Sequence, residues 1–62
     1  MTDKHGTQLK VGDNVKDIKG RVGTVVEVNG VHAIAFKDKN GNDRYTFGFR
    51  VIPAQIERIA NV

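Results

Sequence analysis

Few side chains in this 62-residue sequence are of a type and spacing that could do chemistry. Glu27 and Glu57 are the carboxylates on which a hydrolytic acid–base pair would draw. Each sits among apolar neighbours in a short β-type run, so both are expected to face solvent. Asp13 follows Gly12 at a turn, where its side chain can accept from a nearby backbone N–H. His5 and His32 are the two histidines, and a metal site needs three or four ligands within reach. Cysteine is absent, which excludes disulfides, thiolate zinc sites, iron–sulfur clusters and cysteine nucleophiles. Serine is absent too, and with it any serine triad. The hydroxyls of Thr2, Thr7, Thr24, Thr46 and Tyr45 lie beside no recognisable base. No G-x-G-x-x-G or Walker-type loop occurs. The expectation is a non-catalytic protein without cofactor or metal.

The cations offer more. Lys16, Lys19 and Arg21 surround the first turn, Lys37, Lys39 and Arg44 surround a later loop, and Arg50 follows on the fourth strand. Contact of such groups with RNA or DNA phosphates is sequence-independent and salt-sensitive. Asp17, Asp38 and Asp43 are interleaved with them, as on an ordinary solubilising surface, and the net charge is a modest +3. Of the aromatics, Phe36 and Phe47 are expected in the core. Tyr45, near a strand start, is the candidate for an exposed rim where a base could stack.

The elements that must position these residues are short β-runs broken by turn residues. Met1 to Gln8 is polar and aperiodic and reads as a loose lead-in, with a β-domain from residue 9 to 62. Val11-Gly12-Asp13 precedes a strand from Asn14 to Ile18, and Lys19-Gly20-Arg21 turns the chain. Val22 to Val28 is rich in β-branched residues. Asn29-Gly30 signals a two-residue hairpin. Val31 to Phe36 follows, then a longer loop from Lys37 to Asn42. In the fourth strand Tyr45, Phe47, Phe49 and Val51 share one face, expected inward, against Arg44, Thr46, Gly48 and Arg50. Pro53-Ala54-Gln55 fits one 3₁₀ turn before a last strand from Ile56 to Ala60. An all-β, five-stranded, SH3-like barrel with a 3₁₀ turn before its last strand is the expected fold. Closure of such a barrel would remove most sheet edges.

Leu9-Lys10-Val11-Gly12-Asp13-Asn14-Val15, followed by Gly20-Arg21-Val22-Gly23-Thr24-Val25-Val26-Glu27-Val28, resembles the KOW motif of ribosomal and transcription elongation proteins. The resemblance covers about a third of the chain. It implies an SH3-like barrel with Val15, Val25 and Val28 inward, and contact with RNA. Those domains carry a longer basic loop between their first two strands, whereas here Lys19-Gly20-Arg21 alone makes the link. The opening Val11-Gly12-Asp13 and the ending from Val51 to Ile59 also look like the plasmid-encoded type II dihydrofolate reductase, likewise built of SH3-like barrels. The Val-Gln-Ile-Tyr run of that enzyme's active pore is replaced here by Gly48-Phe49-Arg50-Val51, so that likeness implies fold only.

Strand Val31 to Phe36 is apolar on both faces. With Ile34 and Phe36 inward, Val31, Ala33 and Ala35 would point outward and form a surface for a protein partner or a second copy. A chain about half the usual domain length, without disulfides, would gain stability from such an interface. No apolar run long enough to span a membrane occurs and the N-terminus carries no secretory h-region, so a cytoplasmic location is expected.

Overall fold

Turn chemistry fixes the register of this sheet. Asn29 and Gly30 both adopt positive φ, 51° and 80°, the two-residue hairpin geometry whose twist matches the flanking strands. The computed structural model describes residues 1–59. Its strands are β1 (Asn14–Asp17), β2 (Val22–Val28), β3 (Val31–Lys37), β4 (Asp43–Phe47) and β5 (Ile56–Ile59), all antiparallel in the order β4-β3-β2-β1-β5. The last strand is expected from sequence to reach Ala60, which lies outside the described residues. Pro53–Gln55 is the expected 3₁₀ turn, and Pro53 at its start gives up no ladder hydrogen bond.

Leu9, Val15, Val25, Ile34, Phe36 and Ile56 form the buried core, with Met1 and Val51 packed against it. Each fully buried aliphatic side chain contributes roughly 1.5–3 kcal/mol. Alternation places Val25 inside, opposite Ile34, and leaves Val26 on the other face. Val28, expected inward, pairs with Val31 on that other face and is only half-buried. Gly23 is buried opposite Phe36, and a Cβ there would lie 2.8 Å from Ala35 O, Ile34 Cγ2 and Phe36 Cδ1. The glycine therefore serves close packing.

β4 departs most from expectation. Its register sets Thr46 opposite Ile34 and Phe47 opposite Ala33, so Thr46 faces inward with Ile34 while Tyr45 and Phe47 lie on the outer face. The strand ends at Phe47, and Gly48–Arg50 forms a second 3₁₀ turn. That turn ends the alternation and leaves Phe49 83% exposed. The core takes Phe36 as expected, but not Phe47.

The sheet is not closed by hydrogen bonds. Among the described residues no ladder joins β4 to β5, and the chain from 48 to 55 passes between them. The outer edge of β5 is covered by the N-terminal segment, although its sequence reads as a loose lead-in. Lys4 N–H donates to Ile56 O (2.9 Å), Arg58 N–H donates to Asp3 Oδ2 (2.9 Å), and Thr2 bridges Gln8. Polar, aperiodic sequence hides this, because the tie is made by backbone groups and one carboxylate. The five-stranded arrangement is compatible with a small SH3-like barrel.

Candidate functional site

The two basic groups of the sequence meet at one end of the sheet. Lys16 pairs with Val22, Gly23 with Phe36, and Lys37 with Asp43, so the β1–β2 turn and the β3–β4 loop are neighbours. Seven cations collect there: Lys16, Lys19, Arg21, Lys37, Lys39, Arg44 and Arg50. They face Asp17, Asp38 and Asp43, and the Lys4–Glu57 pair lies beside Lys16, its charges cancelling, so the local excess is four positive charges. The remaining ionised side chains sum to −1. Charge is therefore polarised along the molecule.

Both loops are built the same way. In the first, Asp17 Oδ1 accepts from the N–H groups of Lys19 (2.9 Å) and Arg21 (2.8 Å), and Gly20 N–H donates to Asp17 O. In the second, Asp38 Oδ1 accepts from Asn40 and Asn42, both at 2.9 Å, and Gly41 N–H donates to Asp38 O. Gly20 and Gly41 stand at φ 83° and 82°, the left-handed position that follows the turn in a three-residue hairpin loop. A third copy lies at the N-terminus. There Asp3 Oδ1 accepts from His5 (3.0 Å) and Thr7 (2.9 Å), Gly6 N–H donates to Asp3 O, and Gly6 has φ 78°. The common sequence is D-x-x-G-x, in Asp3 to Thr7, Asp17 to Arg21 and Asp38 to Asn42. That spacing is the signal from which the loops could be read.

The second oxygen of each hairpin aspartate holds an arginine. Asp17 Oδ2 accepts from Arg21 Nε (2.7 Å), and the guanidinium lies over the Phe36 ring, 4.9 Å from its centroid. Asp38 Oδ2 accepts from Arg44 Nε (3.3 Å). In both, the carboxylate takes Nε and leaves the two Nη amines as forked donors. Lys37 is tied to Asp43 (2.9 Å), whose carboxylate raises the lysine pKa above its usual value. Among the described residues, Lys16, Lys19, Lys39 and Arg50 make no ion pair and are the cations most available to a ligand.

The three loop aspartates stay ionised at neutral pH. Asp3 is held below the usual carboxylate pKa by the Arg58 N–H above all, aided by those of Thr7 and His5. Burial pushes Asp17 up, but the N–H and guanidinium of Arg21 outweigh it and leave the net shift downward. Asp38 is lowered chiefly by the Asn42 N–H. Arg21 and Arg50 also flank a cleft of about 100 Å³ in the gap between β4 and β5, floored by Ile34, Phe36 and Ile56.

Tyr45 lies on the outer face opposite Ala35 and is 51% exposed. The expected protein surface on β3 changes. Val31 is exposed and Ala35 half-buried, but Ala33 is fully buried between its register partners Val26 and Phe47. A methyl flanked by two larger side chains cannot be reached by a partner. The exposed apolar surface lies instead on Tyr45 and Phe49, although alternation alone would turn both toward the interior.

The remaining candidates are scattered. Glu57 accepts from His5 Nε2 (2.8 Å) and sits 3.6 Å from Lys4 Nζ, and these partners lower its pKa. Glu27 stands opposite His32 in register. Asp13 Oδ2 accepts from Lys10 N–H (2.9 Å), the turn role expected of it. Among the described residues no three His, Asp or Glu side chains converge as metal ligands, and no helix is long and apolar enough to cross a membrane. Comparison with known protein families, curated proteins and solved structures finds no match to this chain.

Proposed function

We propose that this protein is a small non-catalytic module that contacts nucleic acid through the basic end of its sheet. The main support is the polarisation of charge, an excess of four cations at one end and a net −1 elsewhere. Lys19 and Lys39 belong to the two hairpin loops, with Lys16 and Arg50 beside them. These four engage backbone phosphates first, because among the described residues none is already paired with an acid. Arg21 and Arg44 add Nη donors whose direction is fixed by Asp17 and Asp38. Such contacts read charge and backbone shape and carry no base sequence. The resemblance of residues 9–15 and 20–28 to the KOW motif supports the barrel fold more than the ligand, because the longer basic loop of those domains is reduced here to Lys19-Gly20-Arg21.

Fluorescence anisotropy with a labelled oligonucleotide over a salt series tests this. For a single strand, every phosphate neutralised by the protein adds about 0.7 to the slope of log K against log salt. The triple variant K19A/K39A/R50A is expected to bind roughly tenfold more weakly or worse and to flatten that slope by about 2. An unchanged slope would remove the basic end as the contact surface.

A further inference from the structure

We propose that the nucleic acid recognised at the basic end is single-stranded, and that its unpaired bases stack on Phe49 and Tyr45 along the outer face of the sheet. The inference rests on the reading above and adds the kind of strand bound. Phe49 is the most exposed large apolar side chain among the described residues. Its ring stacks on that of Phe47, centroids 6.1 Å apart and planes within 9°, and Phe47 is itself set against Ala33 by the β4 register. The ring is thus parallel to that of Phe47 and open to solvent. A base laid on it extends an existing stack.

Tyr45 projects from the same face as Phe47 two residues earlier, about 7 Å away along the strand. Its register neighbour, Ala35, is too small to cover it. Each aromatic has a cation next in sequence, Arg44 before Tyr45 and Arg50 after Phe49, and among the described residues Arg50 makes no ion pair. Alternation turns Arg44 to the face of Phe36, and Arg50 lines the cleft on that same face, so the cations meet phosphates around the β4 edge while the rings take bases on the outer face. In a duplex the base faces are already stacked on one another, so the rings have no partner there.

The chain contains no tryptophan, so Phe49→Trp places a single fluorescent reporter in the stack. The probes are oligo(dT) of about ten nucleotides, within the span one small β-domain covers, and the same strand annealed to oligo(dA). Oligo(dT) is expected to quench the emission of the introduced indole, and the duplex is not. Phe49→Ala should weaken oligo(dT) binding by about 5- to 100-fold and leave duplex binding unchanged. Equal binding of both probes, with Phe49→Ala silent and the salt slope intact, overturns stacking while the phosphate reading stands. Absence of binding to either probe overturns both. Quenching that rises with protein concentration alone would show a second copy covering the patch, and also overturns the inference.

Discussion

The loop at Asp3 and the loops at Asp17 and Asp38 share one backbone geometry and put it to different use. In each, the first carboxylate oxygen ties two backbone N–H groups and a glycine takes the left-handed position. The second oxygen differs. Asp3 turns it inward to the Arg58 N–H and fastens the N-terminus to the edge of β5. Asp17 and Asp38 turn it outward to arginine Nε atoms, fixing cations at the basic end. One five-residue local code thus serves as an edge cover in one place and as a cation mount in two others. The local sequence dictates the loop, and the surroundings of one oxygen decide its role.

Acid should undo all three at once, and is expected to have the largest effect. The folded-state pKa values of Asp3, Asp17 and Asp38 lie below their unfolded value of about 3.9. Their stabilising contribution is therefore complete above that value and is lost as pH falls through the folded values. Thermal midpoints should decline from about pH 5 towards pH 2, with a shallower decline in D17N/D38N. A flat profile would mean that the loops do not latch the fold.

Asp3→Ala comes next. It strips the acceptor from three N–H groups, one of them on β5, and leaves the covered edge untied. The thermal midpoint is expected to fall further than in D17A or D38A, and equal falls would erase the distinction between edge cover and cation mount. Gly6→Ala, Gly20→Ala and Gly41→Ala sharpen the shared half of the comparison. An added Cβ meets nothing within 4 Å at any of the three, so the cost is backbone alone, about 1–2 kcal/mol each and alike in all three by denaturant titration. Lys19→Ala and Lys39→Ala should change stability least, by under about 0.5 kcal/mol, while weakening nucleic-acid binding.

Much of the fold was legible because its strands and turns are locally encoded. The valine-rich run from Val22 to Val28 and the Asn29-Gly30 turn specify β2 and its hairpin without outside help, and Pro53 marks the 3₁₀ turn before β5. β4 misleads because Tyr45, Phe47, Phe49 and Val51 alternate as a buried face should. Alternation alone does not say which face is buried, and a one-residue slip exchanges the two. The register comes from the Asp38 loop, which sets Lys37 against Asp43 and carries Thr46 to the inner face. The D-x-x-G-x spacing is present in the sequence, but its meaning lies in the carboxylate bonds. The basic residues are identifiable by type. That Arg21, Lys37 and Arg44 are paired while, among the described residues, Lys19, Lys39 and Arg50 are not depends on which acid each one reaches in three dimensions.

A backbone amide NMR map of the protein, titrated with oligo(dT) at low and then at physiological salt, bears most directly on whether the basic end is the contact surface. Shifts are expected at Lys19 to Arg21 and at Lys39 to Asn42, weakening as salt rises, with Lys4 to Thr7 silent although the loop geometry is the same. Shifts centred on Lys4 to Thr7, or none at low salt, would contradict the proposed role of the two hairpin loops.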